Sequence, residues 1–217
     1  MKLSPQELKR EKLTKKKLDQ CVTQIDKEGY VILEGVVPTS LLKEIRGAMD
    51  SVHMQHFRAH PTATKRPHAY GKGHGIFGVR APKEMPFLDP RVVTNPMVVQ
   101  ILDQVLGVDF FCASYNTNNS WPGSRAQHVH RDHDPLFENL PHPLPPSGLT
   151  ASIPLVPFTE KTGATEIWPG THLYPGPYPG GVRNFDSLAG DRLSRRMLAP
   201  LGSIVLRDGR MWHRGMP

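Results

Sequence analysis

A chain of 217 residues with 38% hydrophobic side chains is long enough for one domain with a buried core, and its 19 glycines and 22 prolines predict a loop-rich globular fold rather than low-complexity disorder. Two cysteines, Cys21 and Cys112, exclude a disulfide scaffold, and no window approaches the roughly 18–20 consecutive apolar residues of a membrane span, so a cytoplasmic setting with no membrane partner is expected. The net charge of +7 is concentrated in one tail, where residues 1–20 hold seven Lys/Arg against three acids; this reads as a solvated helix face, and no nucleic-acid partner is expected.

Ser4, Pro5 and Glu7 form a capping box with proline at the first helical position, and Leu18, Cys21, Val22 and Ile25 follow at helical spacing, so one helix is expected up to Gly29. YVILEGVV (30–37) reads as a buried strand closed by Pro38. After Thr39 and Ser40, the positions Leu42, Ile45, Met49 and Val52 mark a second amphipathic helix, with His53 and His56 near its end. Residues 57–90 carry no sustained periodicity and read as a loop near a pocket mouth. Gly73, Gly75 and Gly78 within it satisfy GxGxxG, but KRPHAY precedes and VRAPKEMP follows where a dinucleotide site needs a strand and a helix, so the match is rejected. Asn95 as N-cap, Pro96, an apolar stripe through Val99, Leu102, Val105 and Leu106, and Gly107 delimit a third helix.

From Asp109 the texture changes to short apolar runs between turn residues. DFFCASYNT, AQHVHRDHD, GLTASIPLVPF, GATEIWPGTHL and GSIVLRDGRMWH are expected to be strands, and residues 174–200 an inserted loop or lid. Helices first and strands after predict an all-β core with flanking helices (α+β), an antiparallel sandwich or barrel.

The densest chemistry lies in residues 127–134, QHVHRDHD. With a two-residue period, His128, His130, Asp132 and Asp134 share one face, so His130 and Asp132 can converge on one ion; His172 or His213, each ending a later strand, could supply a third ligand. Two His and one Asp with open positions suit non-heme Fe(II) oxygen chemistry. An isolated HxD is also what a surface ion pair beside a turn looks like.

GYVILEGVV, NPMVVQILDQVLG, WPGSRAQHVHRD, GATEIWPGTH and GSIVLRDGRMWHRG, in that order, resemble the phytanoyl-CoA dioxygenase family of Fe(II)- and 2-oxoglutarate-dependent oxygenases, and LVPFTEKTGATEIWPGTH and RDGRMWHRGMP look most like its kanamycin B dioxygenase-like branch. The resemblance implies a double-stranded β-helix (jelly-roll, cupin-like) and a single domain over 1–217: a basic N-terminal helix (1–29), helical support and loop (30–108), and the jelly-roll core (109–217). It implies that His130, Asp132 and His213 bind the metal and act in catalysis, that His172 shapes a turn, and that Asn119, Gln127 and Thr150 contact 2-oxoglutarate. His128 and His133 lie close to the metal in this reading, where a supporting or merely polar role is expected ahead of direct tuning of the metal or contact with substrate. Fe(II) with 2-oxoglutarate and dioxygen would then give succinate, carbon dioxide and an oxidised C–H bond in a small-molecule substrate held by the loops 57–90, 135–147 and 174–200. Acyl-CoA, amino-sugar and other secondary-metabolite substrates remain open, as does the oligomeric state.

The family pattern continues past the distal histidine through an N-x-S stretch, another strand and an arginine for the far carboxylate of 2-oxoglutarate, whereas this sequence ends at Pro217. The expectation is a C-terminally incomplete dioxygenase domain lacking its last strand or strands. Two alternatives stand beside it: a variant whose anchor comes from upstream, such as Lys72 or Arg80, and a fold that has lost catalysis. A Zn²⁺ hydrolase using the same three ligands is the remaining reading.

Overall fold

The computed structural model describes residues 1–61, 74–134, 136–137, 142–174 and 185–217. Lys72, Gly73 and parts of the three expected pocket loops lie outside these. Among the described residues no helix is long and apolar enough to cross a membrane. Helices and three small antiparallel sheets make an α+β architecture.

The expected first helix is two, α1 (Pro5–Arg10) and α2 (Lys15–Glu28). Glu11 takes a left-handed conformation (φ 50°) that closes α1, and Thr14 caps α2 by accepting from Lys17 N. The buried Glu7 joins the pair: one carboxylate oxygen accepts from Ser4 N and Oγ (both 2.9 Å), the other from Thr14 N (3.0 Å) and Oγ1 (2.9 Å). Those donors, the backbone amides of Ser4 and Thr14 foremost, pull its carboxyl down to about 2. Gly29 ends α2 at φ 83°, where a Cβ would lie 2.7 Å from His172 Nδ1.

Strand β1 (Tyr30–Leu33) is shorter than the expected eight residues. Next come α3 (Thr39–Ala59), β2 (Ile76–Arg80), α4 (Pro90–Val93), α5 (Pro96–Leu106) and β3 (Asn116–Ser120). Helix α5 has the expected ends. Asn95 Oδ1 accepts from Met97 N and Val98 N, while its amide donates to Val36 O, so the cap also fixes the helix against the segment leaving β1. Gly75 and Gly78 lead into and lie within β2, not at a helix N-terminus.

In the second half, β4 (Leu149–Ser152), β5 (Glu166–Ile167), α6 (Asp186–Ala189), β6 (Arg195–Arg196), β7 (Ile204–Asp208) and β8 (His213–Arg214) follow. The sheet orders are β1-β7-β4, β2-β3 and β6-β5-β8. Three expectations need correction. Asp109–Tyr115 is not strand; Asp109 has φ 68° and Phe111 is 82% exposed, so pairing begins only at Asn116. Residues 126–134 form no regular strand, only a bridge between His130 and His213. Residues 185–200 are not all loop: α6 and β6 form because Phe185 stacks on Trp212 and Arg195–Arg196 pairs with β5.

All five residues of β7 are buried, which its central place explains. Its alternation feeds two cores. Ile204 and Leu206 join Val31, Leu33, Leu42, Ile45 and Ile101 beneath the helices, while Val205 joins Tyr30, Ile167, Met197 and Met211 between the sheets. By the same parity Arg207 shares the face of Val205.

Candidate metal centre

His130, Asp132 and His213 each place one donor atom within 4.8 Å of the others. Backbone pairing achieves this despite 80 intervening residues. His130 N donates to His213 O and His213 N to His130 O, both at 2.9 Å, which brings the two rings to 4.3 Å between centroids. Asp132 N and His133 N then both donate to Gly209 O (2.8 and 2.9 Å), turning the chain so that Asp132 reaches the same place from the end of β7. The strict alternation expected over 128–134 therefore stops at Asp132. A Cβ on Gly209 would stand 2.3 Å from His133 Nδ1 and one on Gly148 2.6 Å from its Cε1, so His133 is a wedge packed against two glycines.

The imidazole protons follow from their partners. His130 Nδ1 lies 2.8 Å from His128 O, which leaves its Nε2 lone pair for a metal, while His213 Nδ1 lies 3.0 Å from both the Met211 carbonyl and the Arg207 Nη1 donor, so a metal on its Nε2 requires the tautomer whose Nδ1 proton goes to Met211 O. His213 Nε2 is 3.5 Å from Asp132 Oδ1. Burial, then the Arg207 charge, pushes His213 down to about 4, so it is the neutral ligand form at pH 7. Burial opposes ionisation of Asp132, but the hydrogen bond and charge of His213, protonated in the acid range where the carboxyl would titrate, and the Arg207 guanidinium hold it well below the carboxylate range. The Asp132 side chain stays 37% exposed, so the cluster is open on one side. Two imidazoles, one carboxylate and an open side fit a non-heme ferrous ion.

The other expected residues fall around this cluster unequally. Gln127 pairs with the segment after His213: its N donates to Gly215 O (3.0 Å) and its Oε1 accepts from Gly215 N (2.9 Å). Thr150 sits on β4 opposite Arg207. Asn119 is on β3 in a different sheet, its amide donating to Phe77 O and Thr117 Oγ1. His172 is apart from the cluster, buried, with Nε2 on Asp26 O (2.9 Å), tying the turn after β5 to the end of α2. His128 Nδ1 meets Asp186 Oδ2 at 2.6 Å. Trp212 is fully buried and stacked on Phe185 (4.9 Å), a packing role.

Arg207 is the residue sequence reasoning passed over. It is 5% exposed; Nη2 donates to Asp132 Oδ2, while Nη1 lies 3.0 Å from His213 Nδ1 and 3.4 Å from Asp208 O. The signal was available: a cation at the inward parity of GSIVLRD, two residues after Val205. Asp186 was equally unremarked, and its Oδ1 accepts from Val129 N (2.8 Å), bracing the ligand segment from the side away from β8.

Residues 25–217 match the family model described as Phytanoyl-CoA dioxygenase (PhyH), and the chain belongs to that family. Among its relatives, the "Multifunctional dioxygenase ausE" of Penicillium brasilianum is 22% identical over 168 residues, covering 72% of this chain and 53% of that protein. The "Iron/alpha-ketoglutarate-dependent dioxygenase ausO" of Aspergillus calidoustus is 25% identical over 195 residues, covering 87% and 62%. The chain spans about half the length of the curated relatives it matches. Among solved structures, the non-heme alpha ketoglutarate dependent carbocyclase SnoK from nogalamycin biosynthesis superposes with TM-score 0.61 at 17% identity, covering 94% of this chain and 78% of that one. AviO1 from Streptomyces viridochromogenes Tue57 does so with TM-score 0.60 at 13% identity, covering 94% and 90%. These likenesses establish the fold they share.

Proposed function

We propose that this chain carries the metal centre of an Fe(II)- and 2-oxoglutarate-dependent dioxygenase that oxidises a C–H bond of a small molecule. The supporting observation is the His130, Asp132 and His213 cluster, whose donor atoms all lie within 4.8 Å of one another, in a member of a family with relatives named as such dioxygenases. His130 Nε2, Asp132 Oδ1 and His213 Nε2 would hold the ion and leave the remaining positions to 2-oxoglutarate and dioxygen. When bound, iron and 2-oxoglutarate supply oxidative decarboxylation to succinate and carbon dioxide and the oxidising power for C–H attack.

The chain's own contribution is placement. The two-bond bridge holds the histidine rings in register, Gly209 O holds Asp132, and Gln127 holds the backbone just past His213. Thr150, beside the centre on β4, and Asn119 on β3 are proposed as polar contacts of 2-oxoglutarate. The sheets β1-β7-β4 and β6-β5-β8, packed through Val205, Ile167 and Met211, are read as the two halves of a double-stranded β-helix within one domain.

The test is succinate formation from 2-oxoglutarate in air, with and without candidate small molecules. Succinate that requires both Fe(II) and dioxygen and is lost in His130→Ala supports the reading; a Zn²⁺-supported, oxygen-independent hydrolysis would overturn it.

A further inference from the structure

A guanidinium between two sheets is costly to bury unless its donors are met. Both Nη atoms of Arg207 face the ligand set. Nη2 takes Asp132 Oδ2, and Asp132 Oδ1, the other oxygen, is the one that lies 3.5 Å from His213 Nε2. The two oxygens of Asp132 therefore have different partners before any metal arrives. Nη1 has two neighbours, His213 Nδ1 at 3.0 Å and Asp208 O at 3.4 Å. Were His213 Nε2 to take a metal, Nδ1 would carry the proton and donate to Met211 O, and Nη1, no longer able to donate to Nδ1, would turn to the Asp208 carbonyl. The Nη2 bond to Asp132 Oδ2 can thus persist through metal binding. Its place is also fixed from the backbone, because Arg207 is the residue of β7 paired on one side with Tyr30 and on the other with Thr150.

We propose that Arg207 is a positioning residue of this centre: it occupies Asp132 Oδ2 so that Oδ1 alone is presented beside His213 Nε2, and its charge offsets the negative charge that a dianionic keto acid brings. This rests on the dioxygenase reading above. A ferrous ion with one carboxylate and a bound dianion carries a net negative charge in a partly dry site, and a cation held against the carboxylate cancels it. Lysine cannot substitute fully, since a single ammonium cannot reach both Asp132 Oδ2 and the Asp208 carbonyl as the planar fork does.

The experiment is an anaerobic titration of the folded chain with Fe(II) and then 2-oxoglutarate, comparing wild type, Arg207→Met and Arg207→Lys by the visible charge-transfer band of the chelate, with thermal midpoints measured alongside without metal. The expectation is that Arg207→Met, still folded, binds Fe(II) about 10–100-fold more weakly, as removal of a partner behind a metal ligand typically does, and that Arg207→Lys recovers part of the loss. Should Arg207→Met fail to fold, Arg207→Lys, which keeps the buried charge, carries the test: weakened metal binding supports the proposal. A folded Arg207→Met, or in its absence Arg207→Lys, with wild-type affinity and an unshifted band overturns it. Wild-type protein that binds no Fe(II) would instead overturn the dioxygenase reading and the positioning role with it.

Discussion

His130 and His213 are paired through their backbones: each amide donates to the other's carbonyl at 2.9 Å. The bonds that bring the two residues side by side are backbone bonds and do not involve the rings, so their placement and their ligand chemistry are separable. Replacing either imidazole leaves the bridge standing.

The first prediction follows from that separation. His130→Ala and Asp132→Ala each abolish Fe(II) binding; the metal-free protein loses no more than about 1 kcal/mol in His130→Ala, whereas Asp132→Ala also strands the buried Arg207 guanidinium and costs about 3–5 kcal/mol. Isothermal titration with Fe(II) and differential scanning calorimetry read the two effects apart. His213→Ala behaves differently: its side chain is buried, and the cavity left beside Met211 should cost about 1–3 kcal/mol in addition.

Gly209 offers a second prediction. A methyl group there would meet the His133 ring at 2.3–2.5 Å, on the residue whose carbonyl holds Asp132. Gly209→Ala should destabilise the chain by about 1–3 kcal/mol, the usual overpacking range, and weaken metal binding. Combining it with His133→Ala should restore much of both, and a double-mutant cycle of denaturation midpoints checks the coupling.

Glu7 makes stability depend on acid. Its folded carboxyl is drawn from 4.5 down to about 2 by the Ser4 and Thr14 donors, so the folded state favours the ionised form. Its contribution is complete above about pH 4.5 and is lost as pH falls toward 2. Denaturant midpoints measured between these values should fall less steeply in Glu7→Gln than in wild type.

How far the sequence disclosed this arrangement depended on how local its determinants are. Helix α5 was legible to the residue because Asn95, Pro96 and Gly107 act within a turn of its ends. The break between α1 and α2 was not, because no glycine or proline marks it: Glu11 itself takes the left-handed conformation, and the second set of donors on the Glu7 carboxylate comes from Thr14 across the turn. His130 and Asp132 stood out by spacing, and His213 followed from the family resemblance, but their surroundings did not. Residues 126–134 read as a strand, but their pairing with the segment around His213, 83 residues after His130, amounts to an isolated bridge and not a ladder. The role of Arg207 was not visible because its partner is distant: its parity with Val205 points it inward to a carboxylate 75 residues earlier.

The measurement that bears most directly on the central claim is anaerobic addition of Fe(II) and then 2-oxoglutarate to the purified chain, followed in the visible range. A weak charge-transfer band that saturates with 2-oxoglutarate and vanishes in Asp132→Ala is the predicted result. Folded wild-type protein that binds Fe(II) yet yields no band at saturating 2-oxoglutarate would contradict it.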